Sequence, residues 1–390
     1  MAWGIKAVQQ QRVEFAVRAQ AGAPMAELCR EFQISRPTGY LWRQRYEQGG
    51  LEGVAESSRR PHSSPQRTAV GIEQHIVELR RQRPDWGARK LQVLLRGEGI
   101  ALPRITVHRV LLRHGLVREE QRQRPARQRF EREQPNQLWQ KDFKSPKGWE
   151  QAVGPLSVLD DHSRYAIALQ GTWTTRTEAV RERLEAAFWS CGVPEAMLMD
   201  HGTPWWNPGA PSGWTQLQVW LMKQGIECLF SGIRHPQTQG KVERFHGTLE
   251  MARRRRGLPV AELRQSWLDE FRYEYNYVRP HEALGMQTPA TRWRVSERKY
   301  DPHPPAWQYP EGAEVKRLGS QGELHLAGRR WDVSQALATE WVQLVRVQQR
   351  VLVYYCSSLL REFDLAAQRS TAVERWAQPG MCKGSPDNGV

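Results

Sequence analysis

Gln137-Leu138-Trp139-Gln140-Lys141-Asp142-Phe143-Lys144 marks the point where the chain changes from helical to extended patterning. Alternation puts Leu138, Gln140, Asp142 and Lys144 on one face of a strand. Asp142 stands out there, because Asp is disfavoured inside strands. Residues 155–159 and 164–170 form two more apolar runs, joined by the hairpin turn Asp160-Asp161-His162-Ser163. A helix is predicted over Thr177 to Ser190, then a strand over Ala196 to Met199 that ends in Asp200-His201-Gly202. A helical stretch from Thr215 to Lys223, a strand from Glu227 to Phe230 and a loop, 231–238, lead into a helix holding Glu243. The order is three strands, helix, strand, helix, strand, helix, an α/β arrangement over 136–296.

Asp142 lies in the first strand, Asp200 at the end of the fourth, and Glu243 on the last helix. Such a placement is what an RNase H-like nucleotidyl transferase needs. Two magnesium ions about 3.5–4 Å apart require bridging and flanking carboxylates, and oxygen ligands suit a hard cation. Val242, Phe245, Leu249 and Ala252 make one apolar stripe that docks the helix on the sheet. Glu243 sits beside that stripe, with His246 one turn on; from this position alone a generic surface glutamate is the better account. Asp160 and Asp161 read as turn formers that stabilise the hairpin, distant from Asp142. Asp387-Asn388-Gly389 lies in a polar tail with no preceding strand and is read as a decoy.

The flanks are of different character. The 390 residues carry a formal charge of +15. Residues 1–135 hold 25 Lys and Arg against 14 Asp and Glu, and residues 136–390 hold 32 against 28. The basic excess therefore concentrates in the first third, which points to a polyanionic partner. Met25, Leu28, Cys29 and Phe32 fall on one face of a short helix. Ser35 is a good N-cap and Pro37 fits the first turn of the next helix, 37–48. That helix carries Tyr40, Arg43, Arg45 and Tyr46, the layout of a helix-turn-helix. A second unit follows, with helices Ile72 to Gln82, Ala88 to Arg96 and Arg104 to His114. In it Thr106, His108, Arg109 and Arg113 are placed to face DNA, and Val107, Val110 and Leu111 to face a core. A plain helical bundle is the alternative. Between this unit and the strands, Arg118, Arg122, Arg124, Arg127, Arg129 and Arg132 flank Pro125, a basic linker able to follow a phosphate backbone or a solvated spacer.

Other classes are set aside by composition. No apolar run approaches the ~18–20 residues of a membrane span. Met1 to Gln11 lacks an apolar core segment, so no secretory signal is expected. Cys29, Cys191, Cys228, Cys356 and Cys382 form no CxxC pair, which argues against a disulfide scaffold or thiolate zinc site and fits a reducing cytosol. Trp205 and Trp206 follow the second Asp in a loop with Pro204 and Pro208. One of them stacks on a base or wedges a DNA end, or else the loop packs onto the domain. Arg253 to Arg256 continue the Glu243 helix, either toward phosphates or as a solvated helix end. Residues 297–312 read as a linker, and the β-like runs beyond it as a small barrel of about five strands.

These residues resemble the integrase-core transposases of bacterial insertion sequences, relatives of retroviral integrases. The matching text is Trp139-Gln140-Lys141-Asp142-Phe143, Val158-Leu159-Asp160-Asp161-His162-Ser163-Arg164, Asp200-His201-Gly202 and the long run from His235 to Arg244. Tyr275-Asn276-Tyr277, Arg279-Pro280-His281, Ala283-Leu284 and Thr288-Pro289 also look like the family. The resemblance implies Asp142, Asp200 and Glu243 as the metal-binding catalytic triad, with magnesium as cofactor and manganese as a substitute. It also implies that Gln239 and Lys241 lie near the scissile phosphate. The chain departs from the family pattern in having 42 residues between Asp200 and Glu243, an insertion around Trp205 to Trp214, and His201 where many members have Asn.

The expectation is a DNA transposase with two helix-turn-helix units (1–55 and 70–117), linkers at 56–69 and 118–135, an α/β RNase H-like core (136–296), a linker (297–312), a small C-terminal β-barrel (313–366) and a flexible tail (367–390). Candidate DNA contacts are Arg36, Tyr40, Arg43, Arg104, Thr106, His108, Arg122, Arg124, Arg127, Arg129, Trp205, Trp206, His235, Gln239, Lys241 and Arg244. Element ends and target duplex are the expected partners, with self-association on DNA and a cytoplasmic, nucleoid-associated location. The alternatives are a catalytically silent DNA-binding regulator or architectural protein and a structure-selective nuclease that cuts without joining.

Overall fold

The structure, a computed structural model, describes residues 5–55, 67–117, 131–144, 154–171, 174–207, 213–231, 240–259 and 264–373. Arg122, Arg124, Arg127, Arg129, His235, Gln239 and the Asp387-Asn388-Gly389 tail lie outside them. The chain divides into two compact units, 1–69 and 70–390.

In the first unit α1 (Ile5–Gln20), α2 (Met25–Glu31) and α3 (Arg36–Gly53) enclose Phe15, Ala19, Leu28 and Cys29. Phe15 meets Phe32 and Trp42 edge-on, each at 5.5 Å. The Ser35 hydroxyl accepts from the Thr38 amide, and Pro37 occupies the first turn, as expected. Gly39 is required where α3 crosses the other helices, since a Cβ there would lie 2.7 Å from Cys29 Sγ and 2.8 Å from the Phe15 ring. Helix α3 runs past Gln48, breaking only at Gly50 (φ 58°), because Val54 beyond it is buried.

In the second unit α4 (Val70–Gln82), α5 (Ala88–Gly97) and α6 (Arg104–Arg113) close on Ile76, Trp86, Leu91, Leu95, Val107 and Val110. The sheet that follows has the order β3-β2-β1-β4-β5. Its strands are β1 (Leu138–Phe143), β2 (Leu156–Asp160), β3 (Ala166–Gln170), β4 (Ala196–Met199) and β5 (Glu227–Phe230). The first three pair antiparallel, while β4 lies parallel to both β1 and β5. Trp139, Val158, Met197 and Phe230 face α7 (Thr177–Cys191) and α8 (Gln216–Lys223) on one side. Leu159, Ala166 and Leu169 face α9 (Gly240–Arg255) and α10 (Gln265–Tyr273) on the other. With both faces covered, the strands are buried nearly throughout.

Two regions depart from expectation. The segment read as a linker at 297–312 is tied to the core at its start. Arg298 donates to the carbonyls of Pro194, Gln224 and Gly225, and Tyr300 packs against Phe188 and Trp220. The C-terminal strands are β6 (Glu314–Arg317), β7 (Glu323–Leu326), β8 (Arg329–Asp332), β9 (Trp341–Val347), β10 (Arg350–Tyr355), β11 (Ser358–Asp364) and β12 (Arg369–Ala372). They form an open antiparallel sheet, β12-β11-β10-β9-β6, and a separate hairpin of β7 and β8, not a closed barrel. The hairpin lays Trp331 on Phe363 at 4.8 Å and so covers apolar surface that closure would have buried. Strand β12 falls where a loose tail was expected. No helix among the described residues is long and apolar enough to cross a membrane.

Candidate active site

Strand register sets the first two carboxylates. Leu138, Trp139 and Gln140 of β1 stand opposite Ala196, Met197 and Leu198 of β4. Continuing that parallel register two residues along each chain brings Asp142 level with Asp200. On the other side of β1, Asp142 pairs with Ser157 of β2. The Ser157 hydroxyl is 2.9 Å from His246 Nε2 on α9, and His246 Nδ1 stands 3.9 Å from Asp142 Oδ2. Glu243 lies one turn before His246 and is exposed, while its neighbours Val242 and Phe245 are buried in the predicted stripe.

The electrostatics follow from this gathering. Burial, then the charge of Asp200, push the Asp142 carboxyl up to about 7; Lys141 opposes the shift and Glu243 adds to it. Asp200 Oδ1 is buried without a hydrogen-bond partner among the described residues. Gly202 lets the chain turn back over this carboxylate, since a Cβ there would meet Asp200 Oδ2 at 2.8 Å. Burial pushes the His246 imidazole down to about 3, so it is neutral at pH 7. As they stand, no three His, Cys, Asp or Glu side chains among the described residues are arranged to hold a metal ion. The donor chemistry nevertheless fits a hard divalent cation. Two carboxylates repel at one end of the sheet, one oxygen is orphaned, and an exposed third carboxylate is near enough to act on Asp142.

Sequence reasoning missed Lys141. Its side chain is buried on the opposite face of β1, with the ammonium over the Trp205 ring and no hydrogen-bond partner among the described residues. Burial pushes its pKa well down, against the charges of Asp200 and Asp142. Only period-two alternation hinted at this, by setting Lys141 opposite to Asp142. Trp205 is 1% exposed and packs beside Phe143, so it offers no face to a base. Trp206 is half-buried against His201 and Phe230, at 4.8 and 5.2 Å.

Asp160 and Asp161 are more than turn formers. Both are fully buried. Asp160 accepts from the Asn136 amide and from Ser163 N and Oγ. Asp161 accepts from Gln140, the Arg132 amide and the Lys241 ammonium. Lys241, which resemblance places beside the scissile phosphate, is thus held on Asp161 in this structure. The arginines at the end of α9 are also engaged within the protein: Arg253 and Arg254 with Glu250, Arg255 with Asp85, and Arg256 with Glu270. Arg113, although exposed, likewise pairs with buried Glu73. Arg36, Tyr40 and Arg43 of α3, Arg104 of α6 and Arg244 of α9 are exposed, and Thr106 and His108 are half-buried.

Comparison with known proteins agrees with this architecture. A Helix-turn-helix domain model matches residues 11–62 and a Homeodomain-like domain model matches 38–111. Integrase core domain models match 132–236 and 224–289. The chain is 24% identical over 249 residues to the insertion element IS407 uncharacterized 31.7 kDa protein of Burkholderia multivorans, covering 62% of this chain and 87% of that one. It is 25% identical over 249 residues to the insertion element IS476 uncharacterized 39.2 kDa protein of Xanthomonas euvesicatoria, covering 62% and 69%. Similar solved structures include the HTLV-2 integrase catalytic core domain in complex with magnesium (15% identity, 41% of this chain, 97% of that chain, TM-score 0.32). Another is the simian T-cell lymphotropic virus intasome in complex with the PP2A regulatory subunit B56 gamma (14% identity, 78% and 99%, TM-score 0.36). With helix-turn-helix models ahead of integrase core models and similar proteins from insertion elements, the chain resembles the insertion-sequence transposases that carry an integrase-type core.

Proposed function

We propose that this chain cuts the 3′ ends of a mobile element and joins them to target DNA, with Asp142, Asp200 and Glu243 as the catalytic carboxylates. The observation that carries the reading is their convergence from β1, the end of β4 and α9 at one end of an integrase-core sheet. In the first step a water oxygen attacks phosphorus and the P–O3′ bond breaks, leaving a free 3′-hydroxyl. In the second, that hydroxyl attacks a target phosphodiester, a new P–O bond forms, and a target 3′-hydroxyl leaves. Magnesium, or manganese in its place, held by the three carboxylates would neutralise the charge that develops at phosphorus. The protein's own part is mostly positioning. Strand register sets Asp142 beside Asp200, and Ser157 holds His246 against Asp142.

DNA holding falls to other segments. Arg36, Tyr40 and Arg43 of α3 and Arg104, Thr106 and His108 of α6 are the candidates for the element ends. The basic linker at 118–135, with His235, Gln239 and Arg244, would follow phosphates nearer the cut. Two ends must be held together, so self-association on DNA is part of the proposal, as is a division into two helix-turn-helix units, an integrase core and a C-terminal β-sheet unit. The test uses duplexes ending in the inverted repeats that border the reading frame, with a plasmid target. Magnesium-dependent joined products are expected. Tight binding of those ends with neither nicking nor joining under any divalent cation would overturn the reading in favour of a silent regulator.

A further inference from the structure

We infer that Asp161 is a positioning residue for this site: through Gln140 and Lys241 it locks the first turn of α9, and with it Glu243, to β1. The inference rests on the catalytic reading above. Asp161 Oδ1 accepts from Gln140 Nε2 at 2.7 Å and from Lys241 Nζ at 2.5 Å. Oδ2 accepts from the Arg132 amide at 2.7 Å. The Asp161 carbonyl accepts from Lys241 Nζ at 2.9 Å and from Arg164 Nη1 at 2.8 Å. One buried residue therefore ties together the approach to β1, β1 itself and α9.

The two side-chain partners are placed alike. Gln140 lies two residues before Asp142 on the same face of β1, and Lys241 lies two residues before Glu243. At about 100° per residue, Lys241 and Glu243 flank the buried Val242 on opposite sides of α9. Rolling the helix about its axis would swing Glu243 toward or away from Asp142. Lys241 on Asp161 resists that roll on one flank, and His246 on Ser157 resists it on the other.

A hairpin turn by itself does not need this arrangement, because Asp160 already caps the turn through Ser163. Burying Asp161, with Lys241 14% exposed beside it, costs desolvation that the pair's attraction only partly returns. What the pair supplies is a fixed helix position. Small displacements matter in such a site, where a shift of about 1 Å can cost about 10²-fold in rate.

The test compares the full-length protein with Asp161→Asn, Lys241→Met, the double variant and Glu243→Gln. Hydrogen exchange in α9 is followed without DNA or metal; single-turnover joining and DNA affinity are measured separately. Each single variant should speed exchange in the first turn of α9 about tenfold or more. Each should slow joining about 10²-fold at saturating DNA, with Kd for DNA within about twofold of wild type, and the double variant should be no worse than either single one. If Asp161→Asn does not fold, Lys241→Met decides by the same readouts. Wild-type exchange and rate would overturn the inference, as would fully additive losses or a loss confined to Kd, which would mark Lys241 as a phosphate contact. Full activity in Glu243→Gln would instead overturn the catalytic reading, leaving the exchange result to decide whether Asp161 clamps the helix.

Discussion

Asp142 and Asp200 each lie two residues beyond the Gln140–Leu198 pairing, Asp142 within β1 and Asp200 just past the end of the parallel β4. Neither β1 nor β4 alone makes a site. Two carboxylates side by side at the end of a buried sheet do, because the charge of Asp200 adds to burial in raising the cost of ionising Asp142.

That cost is measurable in the protein alone. The Asp142 carboxyl sits at about 7 in the fold, against 3.8 for an ordinary aspartate. Between these values the folded chain keeps a proton that the unfolded chain has released. Stability from this group is therefore complete below about pH 3.8 and is lost as pH rises through about 7. In EDTA at pH 8, Asp142→Asn should melt several degrees above wild type, and the gap should close as pH falls toward 4. Identical melting curves at pH 8 would contradict the electrostatic account.

Trp205 and Trp206 should separate by stability. Trp205 lies under the Lys141 ammonium and is 1% exposed. Trp205→Ala should cost about 3–5 kcal/mol in urea unfolding. Trp206→Ala, at a half-buried site, should cost clearly less. Equal costs would show that the two rings share one packing environment.

Asp85 joins the second helical unit to the integrase core. Its carboxylate bridges Arg255 of α9 and Arg279, at 2.5 and 2.6 Å. Although burial pushes this carboxyl up, Arg279 and Arg255 hold it below the ordinary range. Asp85→Ala leaves both arginines buried without it and should destabilise the fold by about 3–5 kcal/mol. Thermal unfolding checks this, and hydrogen exchange should rise at the α4–α5 turn and the end of α9 together. Faster exchange at only one of them would mean that the bridge does not couple the two.

Legibility in the sequence followed the range of the interaction. The Ser35 cap, the α9 stripe and the strands Ala196–Met199 and Glu227–Phe230 are written in a few consecutive residues. Asp142 and Asp200 were visible as polar residues inside and at the end of strands, whereas the position of Glu243 on its helix did not set it apart from a surface glutamate. Lys241 on Asp161, 80 residues away, and Arg255 on Asp85, 170 residues away, were not. No local pattern announces which anion a basic residue meets. Arg253 to Arg256 read as a patch reaching outward because charge is legible in sequence and pairing is not. The C-terminal strands were found by alternation, but sheet closure depends on which edges meet, and the Trp331–Phe363 contact that covers the sheet is set by tertiary packing.

The central claim is that Asp142, Asp200 and Glu243 act as one catalytic group. The most direct measurement is the magnesium-dependent rate of 3′-end nicking and joining on end-sequence duplex for Asp142→Asn, Asp200→Asn and Glu243→Gln, with duplex affinity measured alongside. Each variant should bind DNA about as well as wild type while losing at least about 10³-fold in both reactions. Full nicking and joining by any one of the three would contradict the account.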